Sequence, residues 1–171
     1  FKVLRIIYYY RIGTVYNAGE PNSVVQINIL KEKASSMNIN VVEASVSTTA
    51  DVLAAAESLV GKVDTIYIVT DNTAVAALDA IVGVCEANKI PLFVADPSSV
   101  EAGAIASIGP SYKGMGEDLG KVAARIFKGE KPGDIPSTGG SKFETVVNPK
   151  AAERMGVTVP QAVLDRADKV V

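Results

Sequence analysis

The stretch Asp64-Thr-Ile-Tyr-Ile-Val-Thr-Asp-Asn-Thr73 decides the fold. Residues 65–69 form a continuous apolar run, which is typical of a parallel strand that is buried on both faces. The Asp-Asn-Thr sequence at residues 71–73 supplies side chains that commonly cap helices. A buried strand therefore leads directly into a helix, and this is the repeating unit of an α/β sheet.

The same unit recurs on both sides of this stretch. Apolar runs predict strands at residues 12–16, 41–46, 65–69, 91–95 and 104–108. Capping residues and proline predict helices at about 21–37, 51–60 and 71–88, with a short helix after residue 96. The first of these helices has a predicted apolar face made of Val24, Val25, Ile27, Ile29 and Leu30. The alternation predicts the α/β class, with a doubly wound parallel sheet, helices on both faces and right-handed crossovers.

The pattern changes after Gly109-Pro110. An amphipathic helix is predicted at about 112–128, followed by a loop, a strand at 143–147, a helix at 150–155 and a last helix near Pro160. The apolar side of the amphipathic helix consists of Leu119, Val122, Ala123, Ile126 and Phe127.

Composition narrows the classes of function. With 171 residues, 48% hydrophobic and 21% charged, the chain can bury a substantial core. A net charge of -2 without a basic stripe argues against a nucleic-acid partner. The chain has no histidine, so an enzyme, a metal site and a cofactor are not expected. The single cysteine, Cys85, lies in an apolar helical pattern and is predicted to be a small buried hydrophobe.

Polar clusters follow three of the predicted strands, at residues 17–23, 70–73 and 96–99. In an open parallel sheet, ligands bind outside the carboxyl ends of the strands, where helix N-termini favour a carboxylate or phosphate. Asp71 and Asp96, each taken alone, are equally explained as ordinary helix caps. The turn 17–23 carries Glu20 and two asparagines, which is more than one cap needs, so it is the strongest candidate for ligand binding.

Four segments, in unbroken order, carry a resemblance to a known family. They are Gly13-Thr-Val-Tyr-Asn-Ala-Gly-Glu-Pro-Asn-Ser23, Asp64-Thr-Ile-Tyr-Ile-Val-Thr-Asp-Asn-Thr73, Gly129-Glu-Lys-Pro-Gly-Asp-Ile-Pro136 and Asn148-Pro-Lys-Ala-Ala-Glu-Arg-Met-Gly-Val-Thr-Val-Pro160. Over about residues 12–171 the chain resembles the ABC-transporter substrate-binding proteins of the tryptophan/tyrosine type. The resemblance implies a type I periplasmic-binding-protein fold, in which two α/β lobes of flavodoxin-like topology close on a small ligand.

The resemblance also implies which residues face the ligand. They are Asn17, Glu20, Asn22, Ser23, Asp71, Asn72, Thr73 and Asp96. A zwitterionic amino acid needs donors for its carboxylate and an acidic side chain for its ammonium group. We expect Ser23, Asn22 and Thr73 to serve the first task, and Asp71 or Asp96 to serve the second.

A complete member of the family is nearly twice as long and begins with a first lobe. The expected division is therefore an atypical N-terminal strand segment at 1–11, the second lobe at 12–109, and elements at 110–171 that would complete the first lobe. Ligand binding by the chain alone is expected to be weak, and the uncovered first-lobe elements favour a homodimer. Family members are periplasmic proteins or membrane-anchored lipoproteins that deliver an amino acid to an ABC permease. A periplasmic or extracellular location is expected, with the export signal outside this chain.

Two other classes of function remain open from the sequence. One is a flavodoxin-like domain that binds a nucleotide or phosphate at residues 17–23, although the chain lacks a dinucleotide fingerprint and a P-loop. The other is an isolated or engineered lobe without a ligand. A sugar in place of an amino acid also remains open within the binding-protein class.

Overall fold

Seven strands form a single sheet in the computed structural model, which describes residues 11–137, 139–140 and 142–171. The strands are β1 (Arg11–Asn17), β2 (Asn40–Val46), β3 (Thr65–Ile68), β4 (Leu92–Val94), β5 (Ala106–Pro110), β6 (Phe143–Val147) and β7 (Lys169–Val170). Their order across the sheet is β2-β1-β3-β4-β5-β6-β7. The first five strands therefore have the flavodoxin-like order 2-1-3-4-5 that the resemblance implied. The predicted strand segment at residues 1–10 lies outside the described residues, and Arg11 already belongs to β1.

Helices connect these strands. They are α1 (Pro21–Ser36), α2 (Val52–Ser58), α3 (Asn72–Ala76), α4 (Leu78–Asn88), α5 (Tyr112–Phe127), α6 (Pro149–Arg154) and α7 (Gln161–Leu164). Short 3-10 turns occur at Thr49–Asp51, Pro97–Val100 and Pro132–Asp134. The connection from β1 to β2 contains α1 and moves the chain towards one edge of the sheet. The connection from β2 to β3 contains α2 and moves it back in the opposite direction. With right-handed crossovers, which are the rule for parallel strands, this change of direction puts the two helices on opposite faces of the sheet.

The main core lies on the face that is covered by α2, α4 and α6. Its largest fully buried side chains are Leu59, Ile66, Ile68, Ile81, Leu92 and Met155. Cys85 belongs to this core, and burial raises the pKa of its thiol to about 12, with the charge of Glu86 adding to the effect. Cys85 is therefore the buried small hydrophobe that the sequence predicted.

The two last strands differ from the expected division of the chain. β6 pairs antiparallel with β5, and β7 pairs parallel with β6. Both strands therefore extend the sheet that contains β1, whereas we expected all of residues 110–171 to complete the first lobe. The alternating pattern of residues 143–147 predicted a strand correctly but does not specify its partner, and β7 was not predicted at all.

α5 keeps its apolar side uncovered. Among its residues only Gly114 is buried, while Leu119 is 67% exposed and Phe127 is 91% exposed. A helix with a strongly apolar side normally buries that side against another element. In the described part of the chain no such element covers α5.

Two helix predictions were wrong in part. The helix predicted at 71–88 is broken at Ala77, whose backbone (φ -119°, ψ 29°) lies outside the α-helical region. No glycine or proline marks this break. On α1, Val25 is 58% exposed and Ile29 is 52% exposed, so the buried stripe is narrower than predicted and rests on Ile27 and Ala34.

Gly109 of β5 lies very close to the chain segment that follows β4. A Cβ atom at Gly109 would stand 2.3 Å from the carbonyl oxygen of Ala95 and 2.7 Å from Cδ of Pro97. We expect Gly109→Ala to lower the free energy of unfolding by roughly 1–3 kcal/mol in urea titrations, because backbone must move to admit the methyl group. Gly83→Ala is the matched control, since nothing lies within 4 Å of its Cβ position on α4. The control should raise stability by about 0.5–1 kcal/mol, and an equal response of both variants would contradict the prediction.

Candidate functional site

The candidate site lies at the carboxyl edge of the sheet, which we define as the carboxyl ends of β1, β3, β4 and β5. The chain leaves β1 towards β2 on one side, while β3 lies on the other side of β1. This reversal is the topological switch point at which open α/β sheets bind ligands. Asn17 ends β1, and Asp71, Asn72 and Thr73 follow β3 directly. The sheet therefore brings two of the three predicted clusters together at the switch point.

A buried carboxylate joins these two clusters. The Asp71 side chain, only 1% exposed, accepts hydrogen bonds from the backbone N–H of Asn17 at 2.7 Å and of Ala74 at 2.8 Å. Asp71 is thus the cap of α3, as the sequence allowed, and also the link between the end of β1 and the start of α3.

Glu20 forms the outer layer of the same network. Its Oε2 accepts from the backbone N–H and the side-chain amide of Asn72, at 3.0 and 2.9 Å. Its Oε1 accepts from the backbone N–H and the hydroxyl of Thr73, at 3.1 and 3.0 Å. A carboxylate offers about four lone-pair sites, so these four donors satisfy Glu20 fully. The Asn72 N–H contributes most to lowering the pKa of Glu20, against a smaller opposing effect of desolvation and with help from Thr73.

The turn that carries Glu20 is fixed by Asn17. The Asn17 side-chain oxygen accepts from Gly19 N–H at 2.8 Å, and its amide donates to Thr73 Oγ1 at 2.9 Å. The Glu20 N–H donates to the Asn17 carbonyl at 3.0 Å. Asn17 therefore shapes the turn and ties it to α3 at the same time.

The side chains of Asn22 and Ser23 lie outside this network and both approach the carbonyl oxygen of Thr70. The Asn22 amide donates to the Thr70 carbonyl at 2.8 Å, and the Ser23 hydroxyl lies 3.4 Å from the same oxygen. Ser23 is fully buried at the start of α1. Asn22 is exposed, so it remains reachable from solvent while Ser23 does not.

Asp96 forms a separate cluster after β4. Its carboxylate accepts hydrogen bonds from the hydroxyls of Ser98 at 2.5 Å and Ser99 at 2.9 Å. Partial burial raises the pKa of Asp96, but these hydrogen bonds, led by Ser98 and Ser99, outweigh it and hold the pKa below its ordinary value. The Asp96 carboxylate is therefore stabilised by hydrogen bonds within its own turn.

A groove of about 260 Å³ adjoins the Asp96 cluster. It runs between α3, the first turn of α4 and the 3-10 turn after β4. Its lining residues are Val75, Ala76, Leu78, Asp79, Asp96, Ser98, Ser99 and Ala102. A larger groove of about 470 Å³ lies at the opposite end of α1, near the start of β2, and contains none of the predicted site residues. Position at the carboxyl edge favours the smaller groove as a ligand site.

The side chains of the candidate site are polar and carry no metal-binding cluster among the described residues. No cluster of three or more His, Cys, Asp or Glu side chains in the described ranges could hold a metal ion. The candidate site contains carboxylates, amides and hydroxyls, which are suited to recognising a small polar molecule by hydrogen bonds. No described helix has the length and apolarity that crossing a membrane requires.

Sequence reasoning placed Ser98 and Ser99 in the polar cluster at residues 96–99 without assigning them a role, and it did not single out Tyr112. A signal for Tyr112 was present, since Ser111 is a helix cap that follows a fifth strand, in the same arrangement as the other three clusters.

A comparison with known families agrees with the geometry. The sequence profile described as "ABC transporter substrate binding protein" matches residues 8–171, which is nearly the whole chain. The chain belongs to the family of ABC transporter substrate-binding proteins.

The chain is similar to several known proteins, and it covers only part of the length of each of them. A tyrosine-binding protein of Clostridioides difficile (strain R20291) is 38% identical over 138 residues, which is 81% of this chain and 40% of the relative. The solved structure of a conserved domain protein of Vibrio cholerae aligns with a TM-score of 0.85 at 37% sequence identity. The alignment covers 95% of this chain and 55% of the Vibrio cholerae chain. A domain of Streptococcus pneumoniae in complex with L-Trp has a TM-score of 0.86 and 29% identity, with the same coverage of 95% and 55%. This substrate-binding protein chain thus spans about half the length of the solved relatives.

The Glu20 network predicts a pH dependence of stability. Because hydrogen bonds lower the pKa of folded Glu20, its stabilising contribution is complete above the ordinary pKa of glutamate and is lost as the pH falls through the lowered value. We expect Glu20→Gln to lower the free energy of unfolding by about 1 kcal/mol at neutral pH. In urea titrations the difference from wild type should shrink as the pH falls into that acidic range.

The matched control is Glu153→Gln, which changes an exposed glutamate of α6. It should leave stability nearly unchanged at neutral pH. A Glu20→Gln variant as stable as wild type at every pH would show that the network does not depend on the charge of Glu20.

Proposed function

We propose that this chain is the ligand-binding lobe of the solute-binding component of an ABC importer, and that it binds an aromatic amino acid. The observation that supports this most directly is the hydrogen-bonded network at the switch point, where Asn17, Glu20, Asp71, Asn72 and Thr73 converge. In this proposal the ligand lies in a cleft between the carboxyl edge and a second lobe.

The chemistry of the edge suits a zwitterion. Asn72 and Asn22 are exposed and carry amide donors, and Thr73 is half-buried and carries a hydroxyl, so these side chains can approach a ligand carboxylate. Asp71 and Asp96 give the edge the negative charge that an ammonium group needs. Asp71 accepts only two of the hydrogen bonds open to a carboxylate, but it is buried, so we assign the direct ammonium contact to the more accessible Asp96.

Ligand binding at this edge requires an exchange of partners. Glu20 occupies the donors of Asn72 and Thr73 in the chain by itself. A ligand carboxylate that binds these residues must replace some of their hydrogen bonds to Glu20. This exchange makes the free energy of ligand binding less favourable. One lobe also buries only part of a ligand that two lobes would enclose. Both effects agree with weak binding by the chain alone.

The aromatic class is supported by the relatives. One of them is named a tyrosine-binding protein, and a solved relative contains L-Trp. The groove beside Asp96 has apolar walls from Val75, Ala76 and Leu78, against which an aromatic side chain can pack. We infer delivery of this ligand to an ABC permease from a periplasmic or extracellular location, through a protein anchored as a lipoprotein. A role in binding rather than catalysis follows from the same assignment.

A phosphate or nucleotide ligand is less well supported. Such a ligand needs free backbone N–H groups at a helix start. At α3 these groups already donate to Glu20 and Asp71. A negatively charged phosphate would also meet three carboxylates along the same edge.

The apolar side of α5 is the proposed contact surface for a second lobe. β5 leads out of the sheet into α5, and β6 returns the chain to the same sheet. The excursion presents an uncovered apolar surface that includes Leu119 and Phe127. We propose that this surface packs on the other lobe of a two-lobed protein, and that in the 171-residue chain alone it pairs with a second copy.

Ligand binding is tested by titrating the 15N-labelled chain with L-tryptophan and L-tyrosine in the millimolar range. Amide resonances of residues 17–23, 71–74 and 96–99 should shift with a weak dissociation constant. Thr73→Ala should weaken binding, because it removes a hydroxyl from the network, while Thr158→Ala, an exposed threonine after α6, should not. Tight binding by the chain alone, or shifts confined to the groove at Lys31 and Asn38, would contradict the proposal.

Association through α5 is tested by sedimentation velocity over a range of concentrations. We expect a concentration-dependent dimer that Leu119→Glu weakens, because the new charge would be buried in the contact. Ala124→Glu introduces the same charge on the opposite side of α5 and should leave the dimer intact. A chain that remains monomeric at all concentrations would refute the pairing of copies.

A further inference from the structure

Thr70 lies at the switch point, where β3 has ended and the chain turns into α3. It follows the last residue of β3 by two positions and directly precedes the buried Asp71. Its backbone lies beyond the strand pairing of the sheet, because β3 pairs with β4 only as far as Ile68. Backbone N–H and carbonyl groups that leave a sheet need other partners. At Thr70 these partners are side chains of α1.

Three side chains from the first two turns of α1 hold the Thr70 backbone. The Asn22 amide donates to the Thr70 carbonyl at 2.8 Å, and the buried Ser23 hydroxyl lies 3.4 Å from the same oxygen. The Thr70 N–H donates to Oε1 of Gln26 at 3.1 Å. Both backbone hydrogen-bonding groups of Thr70 are therefore bound by one helix, and this fixes the position of the residue next to the start of α3.

The hydroxyl of Thr70 differs from the other donors near the switch point. Thr70 is exposed, and its hydroxyl has no hydrogen-bond partner in the part of the chain that the structure describes. The side chains of Asn72 and Thr73 already donate to Glu20, so a ligand can use them only by displacing that carboxylate. Thr70 offers a hydroxyl donor on a fixed backbone, with no internal hydrogen bond to break.

We propose that Thr70 is a ligand-binding residue whose hydroxyl donates a hydrogen bond to the carboxylate of the bound amino acid. This inference rests on the proposed function, and it names a donor that is available without displacing Glu20. A hydrogen bond to a charged acceptor is stronger than one between neutral groups. The Asn22 amide has two donor protons and spends one on the Thr70 carbonyl, so it can offer the second to the same carboxylate.

A purely structural role does not require the Thr70 hydroxyl. The described hydrogen bonds that hold Thr70 all involve its backbone, so a valine at this position can keep them. Valine is β-branched as threonine is, and it replaces the hydroxyl with a methyl group. Thr70→Val therefore removes the donor and keeps the backbone contacts. In this proposal Ser23 and Gln26 are positioning residues, because they act on the ligand only through Thr70.

The test compares L-tryptophan with tryptamine, which has the same ring and ammonium group but no carboxylate, in titrations of the 15N-labelled 171-residue chain. Thr70→Val should lower the affinity for tryptophan by roughly three- to tenfold, as the loss of one hydrogen bond does, and change the affinity for tryptamine little. Thr70→Ser keeps the hydroxyl and should keep most of the affinity for tryptophan. Thr158→Val is the matched control, because Thr158 is also exposed but follows α6 rather than β3. It should behave as wild type does.

A measurement on the unaltered chain keeps the inference testable if Thr70→Val fails to fold. The methyl resonance of Thr70 should move with tryptophan and with 3-indolepropionate, which has the carboxylate but no ammonium group, and should move less with tryptamine. A Thr70 methyl resonance that tryptophan leaves in place would overturn the inference.

The outcomes separate this inference from the proposed function. If the wild type responds to no amino acid, the proposed function fails and this inference fails with it. If tryptophan shifts residues 17–23 and 71–74 while Thr70→Val keeps its affinity for tryptophan, the proposed function stands and Thr70 does not bind the carboxylate. An equal loss of affinity for tryptophan and tryptamine in Thr70→Val leads to the same conclusion, because the effect would then not depend on the carboxylate.

Discussion

The buried carboxylate of Asp71 is the interaction on which the candidate site depends. It accepts one hydrogen bond from the last residue of β1 and one from the first turn of α3, so it fixes the two elements that meet at the switch point. A polar side chain at 1% exposure is tolerated only when its hydrogen-bond partners are in place. The Asn17 turn and the Glu20 contacts to α3 are built on that fixed junction. The geometry of the outer layer is therefore set by the inner one.

This construction gives the carboxyl edge a network that is ordered before a ligand arrives. The backbone N–H groups of residues 17 and 72–74 already have internal acceptors, and Glu20 in particular is satisfied by Asn72 and Thr73. Preordered groups lose little conformational entropy when they bind. The cost is that a ligand must offer hydrogen bonds at least as good as those it displaces, which favours a small charged molecule over a neutral one.

Much of the sheet could be predicted because its interior strands are continuously apolar and are followed by capping residues, as at residues 65–73. What failed has specific causes. The break at Ala77 has no local signal, since alanine is the best helix former. The antiparallel pairing of β6 depends on where the chain returns, which its own residues do not encode. The positions of Asn17, Glu20 and Asp71 at one edge followed from the strand ends, but their hydrogen bonds to each other could be known only from the fold.

In the proposed two-lobed protein, the segment from β5 to β6 would link the second lobe to the carboxyl edge of the sheet. Because β6 is antiparallel to β5, Pro110 pairs with Phe143, so the chain leaves and re-enters the sheet at the carboxyl edge. The Ser111 N–H donates to the Lys142 carbonyl at 3.0 Å, which closes the base of the excursion. Tyr112, the first residue of α5, follows Ser111 directly and therefore lies at this base. In the proposed two-lobed protein, a change in the position of α5 would therefore reach the ends of β5 and β6 before it reached Asp71, whose described side-chain hydrogen bonds go to Asn17 and Ala74.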